Sequence, residues 1–192
     1  GPHLATNAFE IGDVGLTDET STNIDFHWHK TKGPYTFKVN LFYNFIDDFI
    51  YLQEQDLNND GVPDRVEEDF SGDISEILDP DEDEEPLLLF HTQNNAEFKG
   101  FEIEGIINLF NSDHGILNVR IWSDYVDAKL IGNGETLPRI SPLRIGTGVD
   151  YIIGPWDFDL SLTHTADKDD IATLEGTTQG YEMLNIYIGY NF

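Results

Sequence analysis

Residues 56–68 read DLNNDGVPDRVEE and space oxygen donors at the intervals with which a chain wraps a hard divalent cation. Asp56, Asn58, Asp60, Asp64 and Glu67 offer side-chain oxygens, Val62 offers its carbonyl, and Gly61 stands where such a loop turns sharply. The chemistry this spacing suits is calcium binding. No helical pattern flanks the stretch, so it is not an EF-hand, and Pro63 fits the helix-free calcium loops of extracellular linkers. The expected role is structural: pinning a long loop outside the cell, where millimolar calcium fills weak sites of about 10⁻⁴ to 10⁻³ M. The plainer alternative is an acidic, exposed loop around an ordinary Asn-Asp-Gly turn.

Histidines are the other residues with metal chemistry. His27 and His29 stand two apart on an alternating segment and share a face, which would present two imidazoles to one zinc ion or to a passing metal complex. The alternative is a polar pair beside a turn. His3, His91 and His164 fall near the long connections, with acids around them, and are weak candidates for contact with a substrate metal. His114 lies in a short turn and reads as a turn residue.

Nothing points to catalysis. Neither a nucleophile elbow nor an HExxH helix occurs, and the glycines of RIGTG (144–148) continue as a strand rather than cradle a phosphate. No catalytic residue and no organic cofactor are expected.

Composition bounds the partners. With 37 acids against 10 Lys and Arg the net charge is −27, which excludes nucleic acid as a main partner because phosphate binding needs clustered basic side chains. About half of the negative excess falls in residues 54–85, where DPDEDEEP (79–86) follows the calcium-like stretch and reads as a solvated run. There is no cysteine. The first residues lack a basic and then apolar export signal, which is expected upstream or removed. No apolar run approaches the roughly 18 residues of a membrane helix. Membrane strands are not excluded by that.

The elements that carry these residues have a period of two. NIDFHWH (23–29) sets Ile24, Phe26 and Trp28 against Asn23, Asp25, His27 and His29. YTFKVNLFYNF (35–45), FKGFEIEGIINLF (98–110), LNVRIWSDY (117–125), LRIGTGVDY (143–151), WDFDLSLTHT (156–165) and LNIYIGYNF (184–192) alternate in the same way. About seven strands and no amphipathic helix are predicted. Short connections near 31–34, 111–115 and 154–156 alternate with long ones near 54–86, 130–139 and 166–179. Long strands, aromatic residues crowded at strand ends, and short turns opposite long loops favour an outer-membrane barrel over a soluble sandwich.

Specific segments carry a family likeness. GPHLATNAFEIGDVGLTDETSTNIDFHW (1–28) resembles the stretch of TonB-dependent outer-membrane receptors that precedes a barrel strand. NLFYNFIDDFIYLQ (40–53), NNAEFKGFEIEG (94–105), LPRISPLRIGTGVDY (137–151) and GYEMLNIYIGYNF (180–192) are similar, in order, to later strands of that family. The opening segment and MLN (183–185) also resemble the zinc-uptake branch.

The resemblance implies that residues 1–192 are one part of a receptor barrel: an all-β, antiparallel transmembrane segment of about seven strands, incomplete as a barrel, with a long extracellular loop at about 54–86. It implies the Gram-negative outer membrane and its lipid as surroundings. It also implies an N-terminal plug that engages TonB, and two strands after Phe192, none of which this chain supplies. Seven strands cannot close with both ends periplasmic. The implied function is TonB-energised import of a scarce metal ion or metal chelate, of zinc or iron-siderophore type. A calcium-stabilised surface or adhesion β-domain without a transport role is the alternative from another class, and a passive porin-like barrel is a third.

Overall fold

Alternation of apolar and polar side chains over ten or more residues leaves the backbone one economical solution, an extended ladder with a greasy and a wet face. The computed structural model describes residues 2–3, 7–59, 61–68, 74–78, 85–173 and 175–192, with backbone alone for residues 3, 67, 68 and 74–78. Its elements are β1 (Pro2–His3), β2 (Ala8–Ile11), β3 (Thr20–Lys30), β4 (Tyr35–Glu54), β5 (Arg65–Glu68), β6 (Ile74–Leu78), β7 (Leu87–Ser112), β8 (Gly115–Leu130), β9 (Arg144–Ile153), β10 (Trp156–Thr165) and β11 (Tyr181–Tyr190). No helix occurs among the described residues.

The chain divides into two compact units, Gly1–Thr20 with Ile46–Asn95, and Ser21–Phe45 with Ala96–Phe192. Strands β4 and β7 run through both.

The second unit holds the seven predicted strands, paired in the order β3-β4-β7-β8-β9-β10-β11. Hairpins close β7 on β8, β9 on β10 and β10 on β11 in antiparallel register, with Gly105 opposite Ile121, Leu160 opposite Val149, and Leu160 opposite Ile186. Partner numbers along β4 and β7 also run oppositely: Lys38 meets Glu104, Asn40 meets Glu102, and Tyr43 meets Glu97. Among the described residues the end strands β3 and β11 each have a single neighbour, so the sheet is open.

One face of this sheet is apolar and uncovered. Along its rows lie Ile107, Val119, Val149, Leu160 and Ile186, which share a level through the register. Leu160 is 48% and Ile186 67% exposed, the reverse of a water-soluble sheet and the expected state of a face built for hydrocarbon. Aromatic rings gather at the short-turn end: Phe110 meets Tyr151 edge-on at 6.2 Å, and Trp156 meets Tyr190 at 4.9 Å. Strands β9, β10 and β11 have 10 residues each, the length that crosses a bilayer when tilted.

The opposite face is polar. Two large rings pack over glycines there: a Cβ at Gly146 would fall 2.0 Å from the Trp122 ring, and one at Gly100 would fall 2.6 Å from the Phe42 ring. The glycines of RIGTG therefore make room in a strand.

The first unit differs more from expectation. Residues 54–86, read as a solvated loop, contain β5 and β6, which pair with each other, while Arg65 pairs with Leu87 of β7. Val66 is fully buried with Phe9 and Leu88, flanked by Ile11 and Phe90. Burying such side chains stabilises by about 1.5–3 kcal/mol each, enough to hold a short strand that charge alone would leave in solvent. Residues 79–84 of the acidic run lie outside the described residues. Strand β7 also starts earlier than predicted, at Leu87, and its first residues pair in parallel with β2, Phe9 opposite Leu88 and Ile11 opposite Phe90. The run LLLFHTQNN does not alternate, so period gave no sign of it.

Candidate functional site

The calcium-like loop in the first unit joins β4 to β5. Its turn is left-handed at two positions, Asn59 (φ 61°) and Gly61 (φ 90°), conformations that asparagine and glycine tolerate best. Two of its acids tie the loop to itself: Asp56 Oδ2 accepts the Gly61 N–H at 2.9 Å, and Asp64 Oδ2 accepts the Leu57 N–H at 2.6 Å. Asp64 is 1% exposed and fixed through its backbone, donating to the Gln55 carbonyl at 2.7 Å and accepting from Leu88 at 2.9 Å.

Among the described residues no Lys or Arg pairs with Asp64. Asn58 and Val62 are exposed on the same loop. Asp60 and the Glu67 side chain lie outside the described residues. Among those described, no three His, Cys, Asp or Glu side chains are grouped so as to hold a metal ion.

The first unit also contains a cavity of about 450 Å³ lined by residues 11–14, 53, 55 and 90–92, including Asp13, Gln53, Gln55 and His91. His91 Nδ1 lies 3.4 Å from the Ile11 carbonyl oxygen. Asp13 Oδ1 accepts the Gly15 N–H at 2.7 Å, which fixes the carboxylate in the turn after β2. Of the two substrate-candidate histidines whose side chains are described, His91 lines this cavity beside Asp13, Gln53 and Gln55. The His3 side chain lies outside the described residues.

His164 lies in the second unit, exposed, with Nδ1 2.7 Å from Glu182 Oε1 across the β10–β11 pair. It borders an apolar groove of about 390 Å³ on the uncovered face, with Ile103, Ile121, Ile145 and Leu162. This setting differs from that of His91. His27 Nδ1 is 2.8 Å from Asn40 Oδ1, and Asn40 donates in turn to Glu102 at 3.2 Å, so this histidine belongs to a polar cross-strand ladder.

That ladder crosses the polar face. Lys38 pairs with Glu104 at 3.3 Å, Arg144 with Asp124 at 2.9 Å, and Arg120 with Asp150 at 2.7 Å and with Asp159. Arg120 is the cation shared by two facing carboxylates of β9 and β10, which would otherwise repel each other across the pair.

Sequence reasoning missed one feature entirely. The loop after β8 and the loop after β10 are bound to each other: Thr136 donates to Asp170 at 2.7 Å, Thr173 donates to Glu135 at 2.9 Å, and the Arg139 N–H donates to Glu175 at 2.5 Å. Leu137 and Ala172 are buried there, at 4% and 6% exposure. Alternation carries no information on loop-to-loop pairing. The short polar residues of both loops were the available signal.

Comparison with known proteins places this arrangement. A family model described as "TonB dependent receptor-like, beta-barrel" matches residues 1–192. Among solved structures, the chain is similar to the copper transporter OprC, with a TM-score of 0.69 and 17% identity over 94% of this chain and 25% of that one. It is similar to the siderophore receptor PirA from Acinetobacter baumannii, with a TM-score of 0.60 and 18% identity over 95% of this chain and 27% of that one. It is also similar to the FrpB iron transporter from Neisseria meningitidis (F3-3 variant), with a TM-score of 0.58 and 10% identity over 96% and 26%. The chain thus spans about a quarter of the length of these structures.

Proposed function

The chain belongs to the TonB-dependent receptor-like β-barrel family, and from that premise we propose that it forms part of an outer-membrane receptor that imports a scarce metal ion or metal chelate with energy supplied through TonB. The family resides in the Gram-negative outer membrane. The observation that carries the reading is the two-faced sheet of the second unit. Its uncovered apolar face, with Ile186 67% exposed, suits lipid, and its polar face carries the Arg120, Arg144 and Lys38 ion pairs, which suit a barrel interior.

The family match over the whole chain favours this reading over a free-standing adhesion domain. The names of the similar structures, one a copper transporter and two associated with iron or siderophores, favour metal cargo as the class. Zinc and iron-siderophore remain the two cargo types to separate. No residue is assigned a catalytic role.

The test is uptake. Cells carrying the intact gene should accumulate radiolabelled zinc or ferric chelate under limitation, and deletion of the gene or collapse of the inner-membrane proton gradient should abolish the accumulation. Energy-independent uptake would turn the reading into a passive barrel.

Calcium is proposed as a structural ion at the β4–β5 loop, held by Asp56, Asn58, Asp60, the Val62 carbonyl, Asp64 and Glu67. The specific support is Asp64, a carboxylate 1% exposed with no cation paired to it among the described residues, an arrangement that is costly without a positive charge nearby.

A further inference from the structure

The cavity of the first unit has a donor set that the ion-pair ladder and the calcium-like loop do not use. His91 faces the Ile11 carbonyl through Nδ1 at 3.4 Å. A carbonyl oxygen has only lone pairs to offer, so a hydrogen bond there uses Nδ1–H, and the neutral ring in that tautomer presents Nε2 as the lone-pair nitrogen. This is the orientation in which a histidine ligates a metal, its second nitrogen held by a backbone carbonyl.

Asp13, whose Oδ1 is occupied by the Gly15 N–H, lines the same cavity and keeps Oδ2. Gln55 donates through Nε2 to the Gln53 carbonyl at 3.2 Å, which leaves its Oε1 as an acceptor. Among the described residues no Lys or Arg lines the cavity. Its described lining thus offers one carboxylate oxygen, one imidazole nitrogen and neutral oxygens, with no cationic side chain among them. The occupant that complements it is a cation.

The imidazole narrows the class. Calcium and magnesium take oxygen ligands, whereas a histidine nitrogen beside a carboxylate suits a borderline divalent ion such as Zn²⁺, Ni²⁺ or Cu²⁺. Size narrows it further. At about 30 Å³ per water a fully hydrated ion needs on the order of 200 Å³, and the cavity offers about 450 Å³. Two side-chain donors completed by water make a site that captures and releases.

The geometry points to a capture site for a partly hydrated borderline divalent cation at His91 and Asp13, which rests on the transport reading for its biological role and names the cargo class as a free metal ion.

The test uses the full-length receptor in detergent, titrated calorimetrically with Zn²⁺ and separately with Ca²⁺, with Co²⁺ absorption reporting imidazole ligation. His91→Ala and Asp13→Asn should each weaken Zn²⁺ binding by roughly tenfold or more, leave the heat-dependent gel shift of the folded barrel unchanged, and His91→Ala should remove the Co²⁺ imidazole band. Unchanged Zn²⁺ affinity in both folded variants would overturn the inference, and energised uptake of a different cargo would then leave the transport reading standing. Zn²⁺ binding that depends on His91 in a protein without energised uptake would keep the capture site and remove the transport role.

Discussion

Thr136 donates its hydroxyl proton to Asp170 at 2.7 Å, joining two loops 34 residues apart in the chain. Lys129 stands 3.5 Å from the same carboxylate, and the Glu135–Thr173 and Arg139–Glu175 bonds lie in the same pair of loops. A hydroxyl-to-carboxylate bond at a site this exposed contributes about 1 kcal/mol net, because solvent screens the charge, so Thr136→Val should loosen the clasp without unfolding the sheet. Hydrogen exchange at the Arg139 and Ala172 amides, both bonded to Glu175, should speed several-fold in that variant, while amides of β9 and β10 keep their protection. Equal acceleration in the strands would show that the loops are not a separate unit of stability.

The same contact predicts a pH dependence. Thr136 first, and then the Lys129 ammonium, hold the Asp170 carboxyl below the usual carboxylate range. A depressed folded value means that the ionised form stabilises the clasp, so the contribution is complete above the ordinary value of about 3.9 and is lost as pH falls through the lower folded value. The chain has no cysteine, so a spin label at Gly176→Cys, where a side chain would meet nothing within 4 Å, reports loop mobility cleanly. Mobility should rise only below about pH 4, and Asp170→Asn should make it high at every pH. A rise near neutrality would assign the transition to another group.

On the polar face, the seat of Trp122 over Gly146 predicts a sharp steric response. A Cβ at position 146 would stand 2.0 Å from the indole, so Gly146→Ala should destabilise the barrel by about 1–3 kcal/mol through overpacking. The loss should appear as a lower temperature for the heat-dependent gel shift. Trp122→Ala should suppress most of it, because the two substitutions act on one contact. Additive losses in the double variant would mean that the indole moves aside at little cost.

The strands of the second unit were legible because lipid on one side and polar groups on the other impose alternation on every residue, and Ile24, Phe26 and Trp28 against His27 already show it. What stayed hidden depends on partners distant in sequence. Val66 gave no signal as a core residue in a run of acids, because its burial depends on Phe9 and Leu88. Leu87 to Phe90 carry no alternation, and their pairing with β2 depends on a segment about 80 residues away, while the Thr136–Asp170 contact is set by two loops whose compositions look like any solvated turn. Among the candidate ligands the sequence named Asp64 and His91 but not their surroundings. Burial of the first and the cavity beside the second follow from how β2, β4 and β7 are paired.

The buried Asp64 gives the sharpest test of the calcium proposal. If the ion is bound, a site with a dissociation constant of about 10⁻⁴ M at about 1 mM calcium stabilises its loop by about 1.4 kcal/mol. Chelation of the intact receptor should then speed protease cleavage within residues 55–68 roughly tenfold. Calcium should restore protection, and equimolar magnesium should not, because its smaller shell demands near-octahedral geometry. Asp64→Asn keeps an acceptor oxygen for the Leu57 N–H but removes the charge, so it should abolish the calcium effect while leaving the loop folded. The self-bonded geometry predicts the opposite if no ion is present: Asp56 and Asp64 would hold the turn through Gly61 and Leu57 alone. Chelation would then change nothing, and Asp64→Asn, by removing an uncompensated buried charge, would stabilise the loop.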